Sequence, residues 1–125
     1  MATTSQYVST PKSPTVSIST ANTNRDGSTG TYGTLMTAGS SGSRVDRLNI
    51  TATGTTTAGM VRLFLGSAMI REIPVIAVTP SSTQPAWSAD VIFDNGLILQ
   101  ASAVLKASTN NAETFNVTVI SGGDF

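Results

Sequence analysis

The stretch Ala58-Gly-Met-Val-Arg-Leu-Phe-Leu65, read with Val45-Asp-Arg-Leu-Asn-Ile-Thr-Ala-Thr53 before it, decides the fold class. Gly54-Thr-Thr-Thr57 joins the two runs as a small polar connector. Side chains alternate faces along a strand, so Val61, Leu63 and Leu65 share one side while Met60, Arg62 and Phe64 share the other. The first set is expected to face a core and the Arg-bearing set to face solvent. Two β-rich runs around a Gly/Thr turn read as an antiparallel hairpin at the centre of an all-β domain.

The same alternation recurs outward from this centre. Strands are expected at 15–19, 32–37 and 44–53 upstream of the connector. Downstream, they are expected at 69–78, 86–93, 97–99 with 103–105, and 114–120. Val45 is out of step with Leu48, Ile50 and Ala52, which calls for a bulge near Asp46-Arg47. Pro74 has no amide proton, so its run must lie at a sheet edge, bulge or break. Trp87, Ala89, Val91 and Phe93 share a phase and predict a core-facing side, while Asp94-Asn-Gly96 reads as a turn. About eight short strands with Gly, Pro, Asn, Ser and Thr between them predict one antiparallel β-sandwich, with jelly-roll topology favoured. Residues 1–13 read as an extended N-terminal arm and 14–125 as the sandwich domain.

Composition restricts function. The chain has 125 residues, 39% hydrophobic and 11% charged, with zero net charge, no cysteine and no histidine. Its apolar content suits folding, and its charge is well below the usual ~25% of a soluble domain. So few charges give weak electrostatic protection against association, which suits a subunit of a larger body. Lys and Arg are scattered singly, which argues against a nucleic-acid partner. No apolar run approaches the ~20 residues that span a bilayer, which argues against a membrane partner. Met1-Ala-Thr-Thr-Ser-Gln-Tyr7 lacks a basic, apolar secretory start, and predicts a protein made in a cytoplasm.

Chemistry is sparse in the sequence. Without His or Cys, the commonest general base, metal ligands and nucleophile pairs are missing. Asp90 and Asp94 can share a strand face as a glycosidase pair would, but one outward Asp and one turn Asp is the simpler reading. Asn22-Thr-Asn24-Arg-Asp26-Gly27 has oxygen ligands at alternate positions, yet places Arg among them and lacks the closing Glu of a calcium loop. It reads as a hydrogen-bonded turn. No enzyme activity, cofactor or metal is expected.

Several phrases occur in a familiar combination. They are Ile18-Ser-Thr-Ala-Asn-Thr-Asn-Arg-Asp-Gly27, Ala52-Thr-Gly-Thr-Thr-Thr-Ala-Gly-Met-Val-Arg-Leu-Phe-Leu65, Glu72-Ile-Pro-Val75, Val78-Thr-Pro80, Asn111-Ala-Glu-Thr-Phe-Asn-Val117 and the closing Gly122-Gly-Asp-Phe125. Together they resemble a group of small structural proteins of tailed bacteriophages and prophages, over nearly all the chain after Pro11. Within that group the chain is most similar to capsid cement, or decoration, proteins. The resemblance implies a virion protein assembled in the host cytoplasm, bound outside the major capsid shell and reinforcing it, with the major capsid protein as partner. The alternative is a tail or fibre module that contacts host surface glycans. The short turn Gly66-Ser-Ala68 departs from the longer loop expected in the group.

Two sets of residues are expected to carry interactions. Tyr7 and Val8 are apolar anchors on the arm. Met60, Phe64, Ile92 and Ile120 are apolar side chains on faces expected to be wet. Merged into a patch, these mark an interface for a homo-oligomer, a dimer ahead of a trimer.

Overall fold

The computed structural model describes residues 8–125, and among them every regular element is a strand. In chain order these are β1 (Thr10–Pro11), β2 (Thr15–Ile18), β3 (Gly33–Thr37), β4 (Ser43–Ala52), β5 (Gly59–Leu65), β6 (Ala68–Val75), β7 (Ser88–Leu99), β8 (Val104–Thr109) and β9 (Phe115–Asp124). One sheet has the order β1-β9-β4-β7, with β2 also on β9, and the other β3-β8-β5-β6. All ladders between named strands are antiparallel. The two sheets form the expected β-sandwich.

The pairing is nested. β2 pairs β9, β3 pairs β8, β4 pairs β7 and β5 pairs β6. The chain is thus one long hairpin, rolled so that successive strand pairs fall alternately in the two sheets. Its tip is the 66–67 turn, where Gly66 has a φ of 62°.

The core lies between the inner faces. Leu48, Ile50, Val117 and Val119 from the first sheet meet Val61, Leu63, Leu105 and Ala107 from the second, all fully buried. Each Val, Leu or Ile among them contributes about 1.5–3 kcal/mol by leaving water, and Ala107 less. Pro74 lies on β6, the edge strand of its sheet, opposite Met60, where the missing amide proton costs no ladder bond. The phase of β4 is corrected by the expected bulge, because Val45 pairs Gly122 and Arg47 pairs Ser121 across the β4–β9 ladder, which leaves Asp46 as the extra residue.

Three expectations need correction. The first is the turn at Asp94-Asn-Gly96. β7 continues through it to Leu99, and Val45 pairs Leu97 while Arg47 pairs Ile92, so residues 93–96 bulge opposite Asp46 alone. Asn95 and Gly96 do adopt positive φ, 64° and 81°, as their sequence requires. That backbone serves a bulge instead of a hairpin. A side chain on Gly96 would strike Arg44 Nε at 2.6 Å and Asp46 Oδ1 at 2.8 Å, so this pair lies over the bulge.

The second concerns Phe64, which was expected on a wet face and is fully buried. β5 is covered on both sides. The segment between β2 and β3 folds over its outer face, and Tyr32 meets Phe64 edge-to-face with ring centroids 5.0 Å apart. The third is one of degree: Trp87 packs against the core as its phase predicts but is only half-buried there, its ring edge-to-face with Phe115 at 5.6 Å. Trp87→Ala is therefore expected to cost about 2–3 kcal/mol, below the range for a fully buried aromatic. Chemical denaturation checks this, and a loss above about 4 kcal/mol contradicts the partial burial.

Candidate functional site

The arm and the C-terminal end of β9 meet at one corner of the first sheet. Ser9 N–H donates to the Asp124 carbonyl at 2.8 Å and Lys12 N–H to the Gly122 carbonyl at 3.0 Å. Thr10 and Pro11 face Asp124 and Gly123 across the ladder. Gly123 is required there, since a Cβ on it would overlap the Thr10 carbonyl oxygen. Lys12 Nζ pairs with Asp124 at 2.5 Å, and the buried Ser43 hydroxyl donates to the same carboxylate at 2.6 Å. Beside this clasp Val8, Pro11, Lys12, Arg44, Asp46 and Ile120 line a groove of about 420 Å³.

Two of the expected interaction residues, Val8 and Ile120, therefore share one groove. Ile120 and Ile92 are exposed on the outer face of the first sheet, at 52% and 61%. Met60 is half-buried on β5, and Phe64 is removed from any surface by its burial. Tyr7 lies outside the described residues. Two exposed isoleucines escaped sequence reading, Ile76 at 64% and Ile98 at 53%. Ile76 follows Pro74 in a run whose pattern predicts unbroken strand, and Ile98 lies just past 94–96, whose residue types predict a turn.

Between the isoleucines the outer face of the first sheet is a polar ladder. Arg47 donates to Asp90 at 2.9 Å, Asn49 Nδ2 to Asp90 at 2.9 Å and to Ser88 Oγ at 3.2 Å. Thr15 and Thr118 hydroxyls lie 3.0 Å apart across the β2–β9 pair. Such cross-strand pairs fix the sheet's geometry and leave the isoleucines as its apolar points.

On the second sheet, Arg62 is buried under the β2–β3 segment. Its Nε donates to Glu72 at 2.8 Å, and its Nη1 to the Asn22 carbonyl at 3.4 Å and Asn110 Oδ1 at 3.2 Å. Arg25 Nε reaches the same Glu72 oxygen at 2.6 Å. Asn22 in turn donates to the Thr29 and Thr31 carbonyls, and Asp26 accepts from Ser28 and Thr29. Asn22-Thr-Asn24-Arg-Asp26-Gly27 thus closes its own hydrogen bonds as a turn, as expected. Among the described residues no three acidic, His or Cys side chains gather as a metal would need.

Four carboxylates, Asp26, Glu72, Asp90 and Asp124, are tuned toward ionisation. Thr29, through hydroxyl and amide, and Ser28 hold Asp26 at about 2. Arg25 and then Arg62 lower Glu72; Asn49 and then Arg47 lower Asp90; Lys12 and then Ser43 lower Asp124. A general acid needs the opposite shift. Because these folded-state values lie below the unfolded ones, their contribution is complete above the unfolded carboxylate range and is lost as pH falls through the folded values. Melting temperature is expected to hold from pH 7 to about 5 and to fall between about 4 and 2. A melting temperature that rises on acidification through that window contradicts these assignments.

No protein-family model matches the chain, and comparison with curated proteins gives no match.

Proposed function

We propose that this chain is a non-enzymatic structural subunit of a virion, a cement protein that binds the outside of the major capsid shell and stabilises it. The observation that carries the reading is the docked arm. It joins the sheet through main-chain bonds at a Gly-Gly slot, and it brings Val8 beside Ile120 on the face that also exposes Ile92. A face with apolar points set among internally neutralised charges suits burial against another protein. The nested strand pairing supports jelly-roll winding, in which the long hairpin forms two Greek keys. The mechanism is mass action, since a subunit that binds only the assembled shell stabilises it by its binding free energy.

The partners under this reading are the major capsid protein and other copies of the chain. A homo-oligomer, dimer or trimer, repeats one contact around a shell symmetry position. Ile92→Asp is expected to dissociate it without unfolding the sandwich, because Ile92 points outward. Sedimentation of native protein and variant tests this: both monomeric at high concentration, or both equally associated, contradicts the assignment. Function is tested by heating particles with and without the protein. Earlier genome release from depleted particles, restored by adding the protein back, is the expected result. Equal release temperatures count against the reading.

A further inference from the structure

The edges of the two sheets are guarded unequally. On β6, Pro74 interrupts the row of main-chain donors. On β3, the register shifts between Thr34 and Met36. The far side of β9 carries the short strands β1 and β2, with Pro11 in the first and Pro14 just before the second. β7 differs: it spans 12 residues, holds no Pro, Lys or Arg, and pairs with β4 alone. An edge of that kind presents unpaired N–H and C=O groups to any strand that fits them.

The pairing with β4 fixes which groups are free. Ala52 N–H donates to the Trp87 carbonyl at 2.8 Å, and the register sets Thr51 opposite Ser88 and Ile50 opposite Ala89. Ala52 and Trp87 are therefore a hydrogen-bonded pair, and in an antiparallel ladder such pairs recur at every second residue. Ala89 and Val91 thus turn their main-chain groups toward β4, while Ser88, Asp90 and Ile92, all exposed, turn theirs outward. Among the described residues no other strand or loop bonds these outward groups. The bulge at 93–96 ends the flat stretch.

The residues of this stretch identify its occupant as a second β7. Two such edges related by a two-fold axis meet in a register set by the residue on the axis. With Asp90 there, two Asp90 carboxylates lie directly opposite, and with Ile92 there each Asp90 faces Asp94. Like charges directly opposite destabilise a sheet. An axis at Ser88 or Ala89 carries Ile92 past the start of the other strand, and an axis at Phe93 falls in the bulge. Val91 on the axis has none of these faults. Asp90 then exchanges main-chain bonds with Ile92 of the other copy, twice over by symmetry. On the core-facing side Val91 meets Val91 and Ala89 meets Phe93, all apolar. Arg47 already pairs Asp90 at 2.9 Å, so the approach strands no lone carboxylate.

We propose that two copies of this chain pair through their β7 edges, antiparallel about a two-fold axis at Val91, so that their first sheets join into one. The proposal rests on the homo-oligomer reading above and sharpens it. Each copy has one such edge and pairing consumes it, so the assembly closes as a dimer. In this register Ile92→Asp sets a second carboxylate opposite Asp90, which gives the dissociation expected above its cause.

The test is amide hydrogen exchange by NMR on the full chain at two concentrations, with sedimentation giving the paired fraction. The amides of Asp90 and Ile92 are expected to exchange freely in dilute protein. They are expected to slow about tenfold when about nine-tenths of the chains are paired, since exchange then runs through the unpaired tenth. The amides of Ala89 and Val91, bonded to β4, are expected to be slow at both concentrations. Asp90→Pro deletes an outward N–H and spares the β4 ladder. It is expected to weaken dimerisation roughly thirtyfold, the value of two neutral hydrogen bonds. Asp90→Asn keeps the N–H and is expected to dimerise like the native chain. Free exchange of 90 and 92 within a dimer overturns the proposal and leaves the homo-oligomer on another surface. A chain monomeric at every concentration overturns both, while the heating of particles reads the cement assignment separately. Equal dimerisation of Asp90→Pro and native protein also overturns the proposal, and if that variant does not fold the native exchange pattern decides.

Discussion

Replacing Phe64 with Ala is expected to destabilise the fold by about 3–5 kcal/mol, the range for truncating a fully buried aromatic. Phe64 is completely inaccessible, yet it lies outside the main core cluster, on the outer side of β5. Its burial depends on the segment between β2 and β3, which brings Tyr32 against it. Truncation therefore leaves a cavity and also frees Tyr32 from its ring contact. Urea denaturation is expected to show the loss as a lower midpoint with an unchanged slope. Phe64→Asp is expected to prevent stable folding, since an unpaired carboxylate would be buried. A folded, soluble Phe64→Asp variant would show that the outer face of β5 opens to water.

Removing Arg62 is the second large effect, expected at about 2–3 kcal/mol for Arg62→Ala. Breaking a buried ion pair commonly costs about 3–5 kcal/mol. The value here is smaller because Glu72 keeps Arg25 and is partly exposed, so its charge is not stranded. What the variant strands are neutral acceptors, the Asn22 carbonyl and Asn110 Oδ1. Arg62→Lys is expected to recover little, since an ammonium group cannot reproduce the guanidinium fork between Glu72 and these oxygens. Hydrogen exchange should accelerate across 21–32 before it does so in the sheets. Uniform acceleration over the whole domain would contradict the role of Arg62 as the tie for that segment.

Both predictions concern the face that sequence reading misassigned. The alternation Met60, Arg62, Phe64 was legible, and the opposite set Val61, Leu63 does face the core as read. Periodicity divides a strand into two faces but does not say what covers the second. The cover is a long polar segment whose bonds are mostly to itself, from Asn22 to Thr29 and Thr31 and from Asp26 to Ser28 and Thr29. Such a segment can lie on a sheet because it satisfies its own backbone. Its signal in sequence was the pairing of that Asn/Asp turn with Arg25 and Tyr32.

The bulge in β7 shows a second limit. Asp94-Asn95-Gly96 demands positive φ, and the structure supplies it. A hairpin turn and a strand bulge meet that demand equally well, and only the pairing of Val45 with Leu97 distinguishes them. The bulge in β4, by contrast, was legible because Val45 broke a phase within its own strand. The clasp of the arm was partly legible. Val8 and Ile120 were both singled out, but nothing local to either shows that Gly122 and Gly123 seat the arm and bring them together.

Electron cryo-microscopy of intact particles tests the cement assignment most directly. The expected map shows a sandwich of this size on the outer surface of the shell, repeated at every equivalent capsomer junction, with the arm against the capsid protein and Ile92 at the contact between copies of the chain. Density for the chain confined to the tail, or a shell that carries none, would contradict it.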